Sequence, residues 1–166
     1  MAVLAQHVLV RDFCEGDAER VNEVALSAFA QFKSAYDDWS AMAAGIGNMA
    51  ALAELGEIIV AQYDDRIVGA VAYIPPHRPK AAYFDPAWPI IRMLVVDPVA
   101  QGLGAGRALT DACIDRARRD TSPVIALHTS PIMTVALPMY IRLGFQKVSD
   151  APSIRGVPYA VYLKHL

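Results

Sequence analysis

The sequence predicts an α/β (α+β) fold in which strands and helices are mixed along the chain. Of its 166 residues, 55% are hydrophobic and 19% are charged, which is enough apolar material for the core of one domain. Short β-rich runs alternate with longer stretches whose apolar residues recur at helical spacing. No internal repeat, low-complexity tract or linker divides the sequence. We therefore expect a single domain over residues 1–166.

The first half of the sequence predicts a strand, two helices and a hairpin. HVLVRDF is typical of a strand, and apolar residues recur at helical spacing from the N-cap residue Asp17 to Phe32. A second helix is expected within KSAYDDWSAMAAGIGNMAALAEL, loosened by Gly45 and Gly47. The segment EIIVAQYDDRIVGAVAYI indicates two strands that turn at residues 64–66, with Gly69 as a bulge.

The second half begins with a long loop, PPHRPKAAYFDPAWP, whose five prolines cannot continue a sheet ladder. Ile90–Val96 follows as a nearly continuous apolar run, which is typical of a strand buried on both faces. Behind a glycine-rich turn, a helix is predicted with Thr110 on its polar side. Its apolar stripe consists of Ala105, Ala108, Leu109, Ala112, Cys113 and Ala117.

The end of the sequence predicts a strand, a helix and two closing strands. VIALH indicates the strand, and Ser130 followed by Pro131 has the pattern of a helix start. This helix is expected to run to Leu143, with Gly144 at its C′ position. FQKVS and PYAVYLKHL then complete the order strand, helix, helix, hairpin, strand, helix, strand, helix, strand, strand.

Charge and composition argue against several classes of function. The formal net charge is -2, the pI is near 6.0 and no Lys/Arg run is present, so nucleic acid is not an expected partner. We find no signal-peptide pattern and no apolar stretch of about 18 residues, which predicts a cytoplasmic protein without a membrane partner. Cys14 and Cys113 lie far apart without metal-ligand spacing, which indicates two free thiols and no metal.

The segment QGLGAGR, residues 101–107, has the composition of a phosphate-binding turn. It follows a strand and opens a helix, so unpaired backbone N–H groups and the positive end of the helix dipole meet there. A P-loop would require Gly-Lys-Ser/Thr, whereas Gly106 is followed by Arg107 and Ala108. A dinucleotide fingerprint from Gly102 would require glycine where Arg107 stands. A turn that merely joins strand to helix is the alternative to an anion site.

The remaining pattern is Gln/Arg-x-x-Gly-x-Gly/Ala, formed by Gln101, Gly104 and Gly106, with VDP just upstream. Downstream, MYIRLGF at residues 139–145 has a second motif, in which an apolar residue and Tyr precede Leu-Gly-Phe. With both motifs at this spacing, the sequence resembles the GCN5-related N-acetyltransferase (GNAT) family. The resemblance implies a central mixed, mostly antiparallel twisted sheet of roughly six to seven strands, with about four flanking helices.

The same resemblance implies acetyl-coenzyme A (acetyl-CoA) as the cofactor, bound where the two central strands splay apart. The backbone of Leu94, Val95 and Val96 would hold the pantetheine arm. Met133 stands where many family members have an asparagine that hydrogen-bonds the cofactor, so binding is expected to be weaker or to rely on backbone groups. The pyrophosphate would lie on the turn formed by Gln101, Gly102, Leu103, Gly104, Ala105, Gly106 and Arg107.

Tyr140 and His128 are the predicted catalytic residues, and Tyr140 is also a predicted cofactor contact. Tyr140 matches the family tyrosine that protonates the leaving thiolate, although an aromatic residue packed on the sheet would give the same pattern. His128 ends a strand where some relatives carry a glutamate that deprotonates the amine, and the alternative is a polar strand end without chemistry. Arg92, which replaces an acidic side chain of some relatives, and Asp97 are further candidates. Pro138 falls inside the predicted last helix, where a kink would redirect Tyr140.

The resemblance places the acceptor site between the first two helices, opposite the proline-rich segment of residues 77–88. Tyr36, Asp37, Asp38 and Trp39 combine two carboxylates with two aromatic rings, a set that receives cationic amines but equally begins a helix with Trp39 in the core. Tyr36, Asp37 and Trp39, together with Arg92, are the predicted substrate residues.

The function implied is acetyl transfer to a primary amine of a small molecule or to a peptide or protein amino terminus. A coenzyme A-sensing or protein-interaction module without catalysis is the first alternative. An acyltransferase with another donor or acceptor is the second. Apolar residues in the C-terminal strands are compatible with a homodimer as well as with a filled core.

Overall fold

The computed structural model describes residues 7–166 as four α-helices and seven strands in the predicted order. The helices are α1 (Ala18–Ala30), α2 (Trp39–Ile46), α3 (Ala105–Arg119) and α4 (Ala136–Arg142). The strands are β1 (Leu9–Asp12), β2 (Glu57–Tyr63), β3 (Arg66–Ile74), β4 (Ile90–Val96), β5 (Val124–Thr129), β6 (Gln146–Ile154) and β7 (Val157–His165). Within residues 7–166, no helix has both the length and the apolar composition that a membrane crossing requires.

The seven strands form one sheet in the order β1-β2-β3-β4-β5-β7-β6. Neighbouring strands are antiparallel except β4 and β5, which are parallel. These two central strands share a single register pair, Ile90 with Ala126. Beyond that pair they diverge, and residues 91–96 of β4 have no ladder partner on the β5 side. The divergence leaves an open strand edge in the middle of the sheet.

A β-bulge interrupts β4 within this open region. Ala72 of β3 pairs with Arg92 and Ala70 pairs with Val95, so β4 has one more residue than β3 between these pairs. Met93 adopts φ = 58°, in the left-handed region that side chains other than glycine rarely occupy. The bulge therefore shifts the alternation of side chains along β4.

The sheet separates two hydrophobic cores, one under α1 and the other under α3 and α4. Fully burying one Val, Leu or Ile side chain contributes about 1.5–3 kcal/mol, so these cores are the main attachment of the helices to the sheet. β4 contributes to both cores. Ile90, Met93 and Val95 pack on the α1 side, whereas Ile91, Leu94 and Val96 pack on the α3 side.

The β2–β3 hairpin and its bulge confirm the prediction for residues 57–74. The register shift leaves Val68 as an extra residue beside Gly69. A Cβ at Gly69 would lie 3.0 Å from the carbonyl oxygen of Val95 and 3.1 Å from a methyl group of Leu109 in α3. A side chain at this position would therefore push β4 and α3 away from β3.

Several local predictions are wrong. The last helix begins at Ala136 rather than at Ser130. Ser130 instead closes a separate turn, in which its carbonyl oxygen accepts from the Met133 N–H at 3.0 Å. Pro138 is consequently the third residue of α4, in the first turn, where backbone N–H groups have no helical partner and no kink is needed. Thr110 is buried, and its hydroxyl donates to the Gly106 carbonyl oxygen at 2.7 Å.

The glycines at the helix ends partly follow expectation. Gly144, with φ = 97°, follows α4 at the predicted C′ position. Gly47 is the C-cap of α2, but Gly45 lies inside that helix. A 3-10 segment, Met49–Glu54, replaces the rest of the predicted second helix.

Candidate active site

A pocket of about 370 Å³ lies between the glycine-rich turn, β4 and the segment that precedes α4. We call it the glycine-turn pocket. Its walls come from the end of α1, from β4, from the turn before α3 and from the segment that leads into α4. The predicted cofactor residues that line it are Leu94, Val96, Gln101, Gly102, Gly104, Ala105, Gly106, Arg107 and Met133.

Two of the three glycines in the turn have backbone conformations that favour glycine. Gly102 and Gly104 have φ = 88° and 85°, and nothing lies within 4 Å of a Cβ built on either. Gly106 differs, because its φ is not positive and a Cβ there would make ordinary contacts with Val96 at 3.7 Å and Met139 at 3.8 Å. The turn thus presents bare backbone to the pocket at three positions.

The electrostatics of this turn favour an anion. Gly104 is the N-cap of α3, and the N–H groups of residues 105–107 precede the first helical hydrogen bond, which Ala108 donates to Gly104 at 3.0 Å. The first turn of α3 contains no acidic residue. Arg107 and Arg142 line the pocket, although Arg107 is also paired with Asp111 at 3.1 Å. The helix dipole, the free N–H groups and the guanidinium charges therefore all attract an anion to this turn.

Three of the predicted cofactor residues do not line the glycine-turn pocket. The Val95 side chain is buried in the core on the α1 side, so only its backbone could serve a ligand. Leu103 is 40% exposed at the surface of the turn. Tyr140 lies in α4 next to the lining residue Met139 and is almost completely buried.

The buried position of Tyr140 keeps its phenol protonated at neutral pH. Its ring packs edge-on against Phe145, with ring centroids 5.6 Å apart. Burial raises the pKa of Tyr140 well above its usual value near 10. The Tyr140 hydroxyl makes no hydrogen bond within residues 7–166. Among these residues, every side-chain oxygen that is fully shielded from solvent has a hydrogen-bond partner. The phenol therefore retains its proton at neutral pH.

A second pocket, of about 540 Å³, lies under the loop between β3 and β4. We call it the loop pocket. Arg92 and His128 line it, each two residues beyond the pair Ile90–Ala126, so both are on the α1 face where the strands diverge. Lining residues from the loop are Pro79, Lys80, Ala81, Tyr83 and Phe84, and the remaining ones are Leu55, Ile90, Ile91 and Ile154.

His128 is held in an aromatic surrounding. Its Nδ1 is hydrogen-bonded to the Tyr83 hydroxyl at 2.8 Å, and the two rings are stacked with centroids 5.6 Å apart. Tyr159 and Phe84 approach the same imidazole at 5.1 and 5.9 Å. Burial, with a smaller contribution from the charge of Arg92, lowers the pKa of His128 to about 4. The imidazole is therefore neutral at pH 7 and is a weak base.

This lowered pKa predicts a pH dependence of stability. The unfolded chain takes up a proton at His128 near pH 6.5 and the folded chain only near pH 4, so the free energy of unfolding should rise as pH increases across this window. The contribution of His128 is expected to be up to about 3 kcal/mol. Chemical denaturation between pH 4 and 7 measures it. The variant His128→Asn, which can still bond Tyr83, should lack this contribution; equal pH slopes for the two proteins would contradict the assignment.

Of the predicted substrate residues, only Arg92 lines a pocket. Tyr36 is buried, and its hydroxyl is hydrogen-bonded to that of Tyr159. Asp38 caps α2 by accepting from the Ala41 N–H at 3.3 Å. Asp37 is exposed, and Trp39 is the half-buried first residue of α2. None of these four predicted residues lines either pocket.

Other predicted groups have structural partners as well. Asp97 pairs with Arg20 at 3.0 Å and caps the turn that follows β4. Cys14 is exposed, Cys113 is buried in α3, and both are free. Across residues 7–166, no three His, Cys, Asp or Glu side chains are grouped as a metal site would require.

Sequence reasoning missed the contribution of α1 to the glycine-turn pocket. Phe29, Gln31 and Phe32, at the end of this helix, line it. The apolar pattern of α1 places Phe29 and Phe32 on the face that packs against the core. Nothing in that pattern indicates that the residues at the end of the helix line a pocket instead. The proline-rich segment contributes Tyr83 and Phe84 to the loop pocket, which none of residues 36–39 lines.

Comparison with known proteins identifies the family. Residues 19–145 match the sequence profile of the Acetyltransferase (GNAT) family, a range that includes both motifs. A mycothiol acetyltransferase from Sanguibacter keddieii is 36% identical over 97 residues, which are 58% of this chain and 30% of that protein. Another from Geodermatophilus obscurus is 40% identical over 57 residues, 34% of this chain and 18% of that protein. The chain thus matches less than a third of the length of either relative.

Solved structures agree with the fold over nearly the whole chain. A Corynebacterium glutamicum structure described as a histone acetyltransferase and related acetyltransferase has a TM-score of 0.71 and 26% identity, covering 98% of this chain and 97% of that one. A GCN5-related N-acetyltransferase from Rhodopseudomonas palustris has a TM-score of 0.73 at 18% identity, with both chains fully covered. A GNAT family acetyltransferase from Elizabethkingia anophelis with acetyl-CoA bound has a TM-score of 0.67 at 16% identity, covering 96% and 99%.

The family match spans well over half of the chain, and it includes the glycine turn and the Leu-Gly-Phe motif. The predicted sheet of mixed, mostly antiparallel strands is present, with its open edge between β4 and β5. Both observations confirm the predicted family and fold class. The chain belongs to the acetyltransferase (GNAT) family.

Proposed function

We propose that this protein is an acetyl-CoA-dependent N-acetyltransferase. It transfers the acetyl group directly to a primary amine of a small molecule or to a peptide amino terminus. The observation that carries the proposal is the glycine-turn pocket, which joins an anion-binding turn to the open edge of β4. Similarity to mycothiol acetyltransferases and to an acetyltransferase with acetyl-CoA bound supports the same class of reaction.

The residues of this pocket fit coenzyme A. The pyrophosphate would be held by the N–H groups at the start of α3, where Gly102 and Gly104 leave room for a bulky anion. The pantetheine arm would be held by the backbone groups of residues 94–96 that face the open edge on the β5 side of β4. Met133 lines the pocket but cannot donate a side-chain hydrogen bond, so this part of the site depends on backbone groups. A volume of about 370 Å³ is within the range of small-molecule sites.

The reaction needs an acyl donor, a neutral amine and a proton for the leaving sulfur. Acetyl-CoA supplies the acetyl group as an activated thioester. Tyr140, whose phenol stays protonated at neutral pH, donates the proton that the departing thiolate takes up. His128 is neutral at pH 7, and with Nδ1 donating its proton to the Tyr83 hydroxyl, Nε2 accepts a hydrogen bond from the attacking amine, directly or through a water molecule. Although it is a weak base, it helps to remove the amine proton, which becomes acidic once the nitrogen has attacked the thioester.

Binding and turnover experiments test this proposal separately. We expect acetyl-CoA to bind with one site per chain by calorimetry and to stabilise the protein by about 2.7 kcal/mol at a concentration 100 times Kd. We expect thiol release from acetyl-CoA to depend on an added primary amine. Absence of binding would overturn the proposal as a whole. Binding without thiol release from any amine of a broad panel would instead favour a coenzyme A sensor.

A further inference from the structure

The loop pocket has positive charge without a matching carboxylate. Lys80 and Arg92 line it, and no Asp or Glu is among its lining residues. The Lys80 ammonium donates to the carbonyl oxygens of Pro75, Arg78 and Pro86 at 2.8–3.2 Å. These contacts hold the loop together, and the carboxylate of Asp85 in the same loop partly balances the charge of Lys80. A ligand that enters the pocket therefore meets the charge of Arg92, which no carboxylate of the pocket lining balances.

Arg92 is the cation that this pocket leaves without a partner. Its guanidinium forms neither an ion pair nor a hydrogen bond with the described part of the chain, residues 7–166. It is exposed on β4 and lines the same pocket as Tyr83 and His128. Burial raises the pKa of Tyr83, which the charge of Arg92 partly offsets, whereas burial and then the charge of Arg92 both lower the pKa of His128. Because Arg92 has no ionic or hydrogen-bonding partner among residues 7–166, its guanidinium is available to a ligand that enters the loop pocket.

We propose that Arg92 binds the carboxylate or phosphate group of the amine acceptor, so that the loop pocket selects acceptors that carry an anionic group. A guanidinium presents paired N–H donors that match two oxygens of such a group. A cleft lined by one sign of charge also concentrates ligands of the opposite sign. This inference rests on the proposed N-acetyltransferase function and specifies its substrate class.

The position of Arg92 suits such an acceptor. Arg92 lies two residues after Ile90 in β4, and His128 lies two residues after Ala126, the partner of Ile90 in β5. The two side chains are therefore on the same face of the sheet. A small molecule that carries an amine and an anionic group can therefore contact both side chains. Phe84 and Ile90 form part of the wall, so an apolar body between the two groups is accommodated.

Acceptors that differ only in the anionic group test the inference. Leucine and leucinamide share an amine and an apolar body, and thiol release at saturating acetyl-CoA gives kcat/KM for each. We expect the variant Arg92→Gln to reduce the ratio of leucine to leucinamide kcat/KM by about 30-fold, mostly through a higher KM for leucine. Phosphoethanolamine against ethanolamine forms the second arm, which distinguishes phosphate from carboxylate. The charge-matched control is Arg66→Gln in the β2–β3 hairpin, which should leave both ratios unchanged.

A binding measurement separates this inference from the reaction itself. By calorimetry, N-acetylleucine should bind the wild-type protein more tightly than N-acetylleucinamide, and Arg92→Gln should remove the difference. If no acceptor releases thiol, the proposed transferase function fails, while this binding difference would still support the anion site. If Arg92→Gln changes neither the acceptor ratios nor the binding difference, or if the wild-type protein shows no preference for the anionic ligands, the inference is overturned even in an active enzyme.

Discussion

The substitution Gly106→Asp is expected to abolish acetyl-CoA binding and to leave the fold intact. A Cβ at this position makes only ordinary contacts with Val96 and Met139. A carboxylate in the first turn of α3 interacts favourably with the helix dipole by about 0.3–1 kcal/mol, so the free energy of unfolding should not fall. The same carboxylate would repel the pyrophosphate, and two unit charges 4 Å apart repel by about 4 kcal/mol near a protein surface. Kd for acetyl-CoA should therefore rise at least about 100-fold.

The matched control is Gly106→Ala, which adds the Cβ without the charge. The turn pattern of the family accepts alanine at this position, so acetyl-CoA affinity should change by less than about threefold, a free-energy change well under 1.4 kcal/mol. Calorimetry gives Kd for both variants, and chemical denaturation gives their stability. Equal affinity of the aspartate and alanine variants would show that the glycine turn is not the pyrophosphate site.

Tyr140→Phe is expected to reduce kcat by about 100-fold, the lower end of the range for general acid catalysis. The effect arises because phenylalanine has no proton for the leaving thiolate. Its ring preserves the packing against Phe145, and the lost hydroxyl has no hydrogen-bond partner within residues 7–166. The free energy of unfolding and Kd for acetyl-CoA should therefore stay close to those of the wild-type protein. Steady-state kinetics, calorimetry and denaturation measure the three quantities.

A second tyrosine in the same core controls for the loss of a hydroxyl. Tyr162 of β7 also packs on the core under α3 and α4 and, like Tyr140, lines neither pocket, but it lies outside the Leu-Gly-Phe motif. Tyr162→Phe should leave kcat unchanged. If Tyr140→Phe mainly weakened acetyl-CoA binding or destabilised the fold, the tyrosine would have a structural role and another group would have to protonate the sulfur.

The features predicted well from the sequence are those that local chemistry determines. The periodicity of apolar residues identified the helices and strands, and Gly102 and Gly104 do occupy the conformations that favour glycine. The start of α4 shows the limit of local signals. Ser130 and Pro131 have the pattern of a helix start, but the same groups can close a turn that lies before the helix. Which of the two forms depends on packing against the sheet.

The arrangement of the loop pocket depends on contacts between distant parts of the chain. Arg92 and His128 become neighbours only because β4 and β5 are adjacent, and that pairing is not encoded in either segment alone. The bulge at Met93 was also hidden, because methionine does not signal a left-handed backbone. The hydrogen bond from the β3–β4 loop to His128 is a third long-range feature, since a proline-rich loop does not reveal what it covers.

The single pair that joins β4 to β5 makes the width of the glycine-turn pocket sensitive to a small angle. The sheet consists of two sections, β1–β4 and β5–β7, whose shared backbone contact is confined to the beginning of β4. From Ile90 to Val96 the strand extends by about 20 Å, at about 3.3 Å per residue. A rotation of about 5° at the joint therefore moves the far end of β4 by nearly 2 Å, about half the diameter of a methyl group. A change in the angle between β4 and β5 near Ile90 would therefore alter the width of the opening at the far end of β4.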